Sequence, residues 1–495
     1  MTLILPGVEI QVVKEIVAGQ LNPSGILGLL GITENNEDGT PKNVARASSY
    51  KEFRNLFGRA IDYTVPEGKQ AFQNGVSEIV MVPVTSQAMT RSEMDLKGKS
   101  GDTVFKLTAR ADGTWANNIR VKIEGKEDDT GKKTMVRLTL NYKDTVEFYD
   151  NLYLDPSHDR YLPKVINAQS DLVTATNPGG KKGGKKNNKN NKKEEETPAG
   201  EEPTEAPVDT EMKELPSDTE DTLSGGSSPL AKDYDDALMK LESEDDVDLV
   251  LASIEDYSDW DLVKHVYAGI DSHCKVMSGN CMNRIGFGSA PPPETFKTRE
   301  EEADFISKQT LTMNSDRFVL IAPYGVVGAV AGLVGNLPVH HSPTFKTIAG
   351  VPGLSQKYSP SHLKTLLKSN ILCLEAKKGK GIIVEKGIAT SGEQISVQRV
   401  ADKAVRGTKM IGDLFIGTLN NVNGRNALRE KCIEFFLQME KDGAIVPSAD
   451  GSDPSYKVDV YATDDDISKG IVRVDIAVRP VRAIDYIYGT ILVRA

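Results

Sequence analysis

The stretch Phe318–Val339, FVLIAPYGVVGAVAGLVGNLPV, carries no charged residue, and how it is read decides the fold. On length alone it is a candidate membrane span. Pro323 and Pro338 interrupt it, and Gly325, Gly328, Gly332, Gly335, Ala329 and Ala331 keep it only mildly hydrophobic. It therefore reads as a buried strand over Arg317–Ala322 followed by a helix of small residues. The run Gly325-x-x-Gly328-x-x-x-Gly332 stands where a dinucleotide-binding loop would sit after a strand. Its spacing departs from G-x-G-x-x-G and no acidic residue follows at the expected distance, so close helix packing through small side chains is the better reading.

Outward from this stretch, strands alternate with helices. Upstream come a short helix at Ala237–Glu242, a strand at Val247–Ala252, a helix from about Asp261 and a strand at Arg284–Gly288. A capping box, Thr298-x-x-Glu301, then opens the helix that leads into Arg317. Near the start of the chain, Gly25–Ile32 is a continuous apolar run. Ser49-Tyr50-Lys51-Glu52 caps a helix with Phe53, Leu56 and Phe57 on its apolar side, and Ile79–Val84 is a second buried strand. Together these imply a layered α/β body. From Val104 the pattern changes to period two: FKLTA, a turn at Asp112-Gly113, IRVKI and MVRLTL. This is a β-rich middle domain. After Pro178 the chain runs through a Lys-rich and then Glu-rich segment with almost no large apolar residue, expected to be disordered and exposed. Two apolar-striped helices, about Val397–Leu414 and Arg425–Lys441, are followed by strand signals at Lys457–Tyr461, Gly470–Val478 and Ile484–Val493. Pro480 confines the second of these to an edge or a bend. Val8, Ile10 and Val12 alternate with Glu9 and Gln11, so both ends of the sequence read as strands, free to add to another subunit's sheet.

At 495 residues the chain suggests about three domains, and 39 % apolar residues are ordinary for a globular protein. Four cysteines, Cys274, Cys281, Cys373 and Cys432, are too scattered to staple it and suit a reducing cytoplasm. The opening MTLILPGVEI lacks a basic n-region, against a secretory signal. A net charge of −11 argues against nucleic acid or an anionic lipid surface as the partner of the whole molecule.

No chemistry stands out. His273, Cys274 and Cys281 lack the further pair that a metal site needs. His340 and His341 are adjacent and in extended chain point to opposite faces, which favours a loop or interface role. The lysines between Lys181 and Lys193 have no interleaved aromatic and are followed at once by acidic residues, as in a solvated loop. No G-x-S-x-G, Walker A or H-E-x-x-H occurs, and neither a catalytic residue nor a cofactor or metal site is assigned.

Many weak segments in a fixed order resemble one family. MTLILPGVEI, SGILGLLGI, the YKEFRNLFG helix and IVMVPV are similar to the N-terminal part of contractile tail sheath proteins. ADGTWANNIRVKI, with Gly113, Thr114, Trp115 and Asn117, resembles a segment common in that family. The likeness continues through VEFYDNLYLDP, YLPKVINAQSDLV, LPVHHSPTFKTIAGV, ISVQRVADKAV and VDIAVRPVRAIDYIYGTILV. The Lys-then-Glu insert and the His340-His341 pair depart from the family pattern.

The resemblance implies an α+β multidomain chain. Its parts are a strand arm (1–22), the first part of an α/β body (23–95), a β-rich peripheral domain (96–176), a polar insert (177–231), an α/β domain (232–380), and a layered α/β C-terminal sheath domain with a strand arm (381–495). It implies a non-enzymatic subunit without cofactor, assembled in the bacterial cytoplasm and stacking with copies of itself around an inner tail tube, with baseplate and terminator or cap proteins at the ends, in a phage tail or a related injection particle. Such a sheath contracts to drive the tube through a target envelope, and membrane insertion is not expected. Val8, Ile10 and Val12 with Val472, Val474, Ile476, Ile484, Tyr486 and Ile487 would then form the intersubunit sheet. Helices bearing Arg399, Lys403, Arg406, Lys409, Arg425 and Arg429 would present either a basic face to an acidic tube or an ordinary solvated face. The competing reading of the α/β pattern is a cytoplasmic nucleotide-dependent oxidoreductase.

Overall fold

The computed structural model describes residues 25–127, 133–178 and 214–490, so the predicted strand at Val8–Val12 lies outside the described residues. The described chain forms two compact units. One comprises residues 25–32, 39–85 and 230–490, the other residues 33–38, 86–127, 133–178 and 214–229. The second unit therefore begins before the expected boundary at residue 96.

The first unit is built on an eight-stranded sheet and is described along the chain. β1 (Ile26–Gly31) and β2 (Ala45–Ala47) precede α1 (Tyr50–Phe57), α2 (Ile61–Thr64), α3 (Pro66–Gln73) and β3 (Glu78–Pro83). After the excursion into the other unit come α4 (Ala231–Leu241), β4 (Leu249–Ala252), α5 (Trp260–Gly279), β5 (Ile285–Ser289), α6 (Arg299–Thr312) and β6 (Phe318–Ala322). Next are α7 (Val327–Asn336), α8 (Pro360–Lys368), β7 (Leu372–Lys377) and β8 (Gly381–Val384). The sheet order is β8-β7-β6-β5-β4-β1-β3-β2. The strands from β7 to β3 run parallel, and β8 and β2 are antiparallel edges. Since β8 belongs to this sheet, the body extends past the expected boundary at residue 380.

The strands are apolar runs because both faces are covered. Alternate residues go to opposite cores. Ile26, Leu30, Val80, Val250 and Leu320 meet Leu238 of α4, Val266 of α5, Ile306 of α6 and Leu366 of α8. Leu27, Leu29, Met81, Leu251 and Ile321 meet Phe53 of α1, Ala71 of α3 and Val330 of α7. The uncharged stretch that decides the fold is thus β6 and α7, both buried. A Cβ on Gly328 or Gly332 would fall 2.4 Å from the carbonyl oxygen of Glu67 or Ala71, so these glycines let the α7 and α3 backbones touch. No helix among the described residues is long and apolar enough to cross a membrane.

Local signals explain the helix starts. Ser49 Oγ accepts from the Glu52 N–H at 3.3 Å, and Thr298 Oγ1 from the Glu301 N–H at 3.1 Å. The return contacts differ from a strict capping box, because the Glu52 and Glu301 carboxylates accept from Ser48 and Lys297, one residue before the cap. His340 and His341 lie in a turn closed by His341 N–H to Pro338 C=O at 2.9 Å, not in extended chain. Their rings consequently approach to 4.5 Å and do not point apart.

The second unit holds two antiparallel sheets. Strands 219–222, 120–127, 133–142 and 145–153 form one, and strands 93–97, 103–109 and 173–176 the other. Trp115 is buried, donates from Nε1 to Asp112 C=O at 3.1 Å and packs edge-on against Tyr142. The expected polar insert ends sooner than residue 231. Thr219–Thr222 pairs with Arg120–Ile123 in a backbone ladder to which Arg120 and Glu220 add a surface ion pair, and Leu223, 1 % exposed, anchors it. The ladder needs no apolar side chain on that strand, so composition alone conceals it. The rest of the insert, residues 179–213, lies outside the described residues.

Candidate assembly site in the C-terminal module

Beyond β8 the first unit continues as α9 (Ile395–Phe415), α10 (Val422–Lys441), β9 (Tyr456–Tyr461), α11 (Asp464–Ser468) and β10 (Arg473–Val478). Val400, Ala404 and Ile411 recur along one side of α9 and meet Leu428, Cys432, Phe436 and Met439 of α10. Asn421 caps α10 by accepting from the Gly424 N–H at 2.8 Å. The hairpin of β9 and β10 lays its apolar face on this pair. Tyr456, Val458 and Val460 stand opposite Val478, Ile476 and Val474, and the Tyr456 ring stacks on Phe436 at 5.7 Å. Thr463 and Asp466 cap α11 reciprocally. Arg473 reaches Asp466 at 2.8 and 3.0 Å and holds that carboxyl well below the usual range, which pins α11 to the start of β10.

The sheet has only these two strands, so each has one edge without a partner among the described residues. The phase of the open edge follows from one bond. The Arg479 N–H donates to Ser455 C=O at 2.9 Å, so residues 477, 475 and 473 face β9 by alternation, and the backbone groups of Val474, Ile476 and Val478 face outward. Beside that edge lies an apolar groove of about 690 Å³. Val474 and Ile476 line it with Val405 and Phe415 of α9, Leu428 of α10, and the loop from Ile416 to Asn420. Ile416 and Leu419 on that loop are 82 % and 79 % exposed, and Asn420 fixes the loop by donating to Ile471 C=O at 3.0 Å. A row of unpaired backbone donors and acceptors above an apolar floor is what an added strand requires.

The predicted site residues divide accordingly. Val474 and Ile476 lie in a hairpin within the chain, with Val472 just before it, and so present a second edge instead of waiting for their first partner. Ile484, Tyr486 and Ile487 form no strand in this chain, because no ladder partner lies beside them. Side chains steer the segment after Pro480. Arg482 grips Glu393 at 2.9 and 3.0 Å, Gln394 bonds Ala483 and Asp485, and Lys386 sits over the Tyr486 ring. Ile484, Ile487 and Tyr488 remain exposed.

The basic set is corrected in part. Arg399 is 5 % exposed and donates to Leu337 C=O at 3.0 Å, and burial pushes its guanidinium down to about 10. Arg406 is turned inward to Asp248, Val247 C=O and Asn283 C=O. Neither presents a solvent face, because the amino ends of β4 and β5 supply the acceptors of Arg406 and the residue after α7 that of Arg399. Burial raises the Asp248 and Asp402 carboxyls against the pull of Arg406 and Arg317. Lys409 and Arg429 stand on open surface, Lys403 is half-buried beside Asp442, and Arg425 lines the groove.

The fold has known counterparts. The sheath tail protein from Desulfitobacterium hafniense superposes with a TM-score of 0.51 at 15 % identity, covering 97 % of each chain. The helical sheath of the anti-feeding prophage in its contracted state gives 0.53 at 11 % identity over 99 % of both chains. The contracted sheath of the PVC extracellular contractile injection system gives 0.55 at 12 % identity, over 99 % of this chain and 98 % of that one. No curated protein matches by sequence. Two family descriptions match consecutive parts of the chain. The phage tail sheath protein central domain covers residues 229–390, which include most of the parallel sheet, and the phage tail sheath C-terminal domain covers residues 391–494, which include the open hairpin and its groove. With those two domains in their order over more than half its length, and with the sheath fold throughout, the chain belongs to the phage tail sheath protein family as a structural subunit.

Proposed function

We propose that copies of this chain polymerise helically around an inner tail tube, each seating a terminal segment on the open β10 edge of a neighbour, and that the sheath then shortens to drive the tube through a target envelope. The observation that carries this is the outward-facing backbone of Val474, Ile476 and Val478 above an apolar groove, in a chain whose own tail exposes Ile484, Ile487 and Tyr488. A donor segment on one face and an acceptor edge on another make a heterologous contact, which propagates instead of closing. Backbone bonds hold the link while the joining residues bend, so subunits rotate as rigid bodies between two lattices. No nucleotide is consumed. A difference of about 1 kcal/mol per subunit, summed over many coupled subunits, biases the whole tube.

The donor is the segment around Ile484, Tyr486 and Ile487 or the one around Val8, Ile10 and Val12. Lys409, Arg425 and Arg429 are the basic residues left to face an acidic tube, and baseplate and terminator proteins would close the two ends. Assembly in the cytoplasm fits four unpaired cysteines, three of them buried. Negative-stain electron microscopy of the purified chain tests the reading, with tubes or stacked rings expected. Truncation after Pro480 should leave a folded monomer that no longer assembles, and unchanged tubes from that variant would remove the C-terminal arm from the mechanism.

A further inference from the structure

A second cleft, of about 710 Å³, runs along a different stripe of α9. Its floor is the amino end of the parallel sheet, where Asp248 and Asn283 precede β4 and β5, with Arg317 before β6 behind Asp402. Two guanidinium groups there are paired with carboxylates, although Arg406 Nε has no acceptor among the described residues. Arg406 pairs with Asp248 and donates to Val247 C=O at 2.7 Å and Asn283 C=O at 2.5 Å, and Arg317 donates to both oxygens of Asp402 at 2.7 Å. The third is not. Arg399 lines the cleft, is 5 % exposed and satisfies Nη1 on Leu337 C=O, but its Nη2 meets no acceptor among the described residues. Arg317, Arg406 and the buried Arg399 thus stand around the two carboxylates of Asp248 and Asp402, neither of which bonds Arg399.

The remaining carboxylates around the cleft are engaged or distant. Asp246 is held by Arg46 at 2.6 Å, Asp413 by Lys409 at 3.0 Å, and Asp442 lies 3.8 Å from Lys403, while Asp245 is exposed. An unmatched buried guanidinium is costly, and an oxyanion is the ligand that repairs it, because charge-assisted bonds from planar N–H groups suit carboxylate and phosphate oxygens. We infer that this cleft binds a small oxyanion, a carboxylate or inorganic phosphate, on Arg399 Nη2 with the Lys403 ammonium as second donor. Lys403 qualifies because its present carboxylate partner is long and can yield. The cleft adjoins the groove beside β10, with Cys281, Lys409 and Asp413 lining both, but Arg399 and Lys403 line the cleft alone.

The test is thermal unfolding of the full chain in sodium phosphate and in sodium acetate, against sodium chloride at matched ionic strength. A ligand of the native state raises Tm saturably, whereas screening acts alike for all three salts. The expected result is a saturable rise with phosphate or acetate that chloride does not give. Half-saturation at lower concentration for acetate assigns a carboxylate, and the reverse order assigns phosphate. Lys403→Met, at a half-buried position, should shift half-saturation about tenfold upward, the loss of one charge-assisted bond. Arg399→Gln should abolish the saturable rise. Equal responses to all three salts, or a half-saturation unchanged in Lys403→Met, would overturn the inference, and the second variant decides it even where Arg399→Gln fails to fold.

Discussion

Val474→Pro and Ala477→Pro place the same residue on the same strand in opposite phases, and the open-edge geometry predicts opposite consequences. Val474 directs its N–H outward, away from β9, so proline there removes no bond of the hairpin and keeps a similar apolar volume over the groove. Ala477 pairs with Lys457, and proline there deletes a ladder donor and sets its ring against the partner strand. The backbone bond lost in Ala477→Pro accounts for about 1 kcal/mol, and the steric conflict brings the total to about 3 kcal/mol. The subunit itself should lose less than about 1 kcal/mol in Val474→Pro. An incoming strand, however, loses one hydrogen bond of about 0.5–1.5 kcal/mol and meets a ring at the position of the missing donor, so the critical concentration for assembly should rise at least about tenfold. Urea denaturation of dilute subunit reports the first quantity, and sedimentation with negative-stain microscopy reports the second. Assembly of Val474→Pro at the unaltered critical concentration would refute the added strand on β10, and equal destabilisation by the two prolines would refute the assigned phase.

Two further outcomes follow from the body of the molecule. Gly332→Ala should destabilise by about 1–3 kcal/mol in urea titration despite alanine's better helix propensity, because the new methyl meets the Ala71 backbone at 2.4 Å, whereas Gly412→Ala, with open space around it, should stabilise by up to about 1 kcal/mol. His273 accepts from Arg284 at 2.6 Å, and burial, helped by that cation, lowers its pKa from 6.5 to about 4. The folded chain therefore binds this proton less readily than the unfolded chain. The stabilisation, at most about 3 kcal/mol, is complete above pH 6.5 and is lost as pH falls toward 4. Urea midpoints across that window should slope in the parent and flatten in His273→Gln, which keeps an acceptor for Arg284 but cannot be protonated there.

How much of this was legible depended on whether the deciding partner lies nearby in the chain. Gly25–Ile32, Ile79–Val84 and Arg317–Ala322 were recognisable as body strands because a strand covered on both faces must be apolar at every position, and that is a local property. The helix after β6 was recognisable from its glycines, although the backbone they approach belongs to α3, some 260 residues earlier. Arg399 and Arg406 failed as surface residues because their partners, Leu337 C=O and Asp248, are remote. One signal was available. Arg399, Asp402 and Arg406 share one helical stripe, and a stripe of mixed sign beside an apolar one suits a packed ionic seam better than a uniformly basic face. Ile484, Tyr486 and Ile487, expected to pair between subunits, form no strand within one chain for a different reason. Their alternation is real, but a strand is defined by the backbone it pairs with, and one copy of the chain offers those residues none. The same deficit appears at β10, where a complete hairpin still leaves Val474, Ile476 and Val478 with unspent backbone groups. Unpaired donors on one segment and an unpaired edge elsewhere are complementary, so the missing strand and the open edge carry the same information, and the assembly proposed above is the arrangement that would complete both.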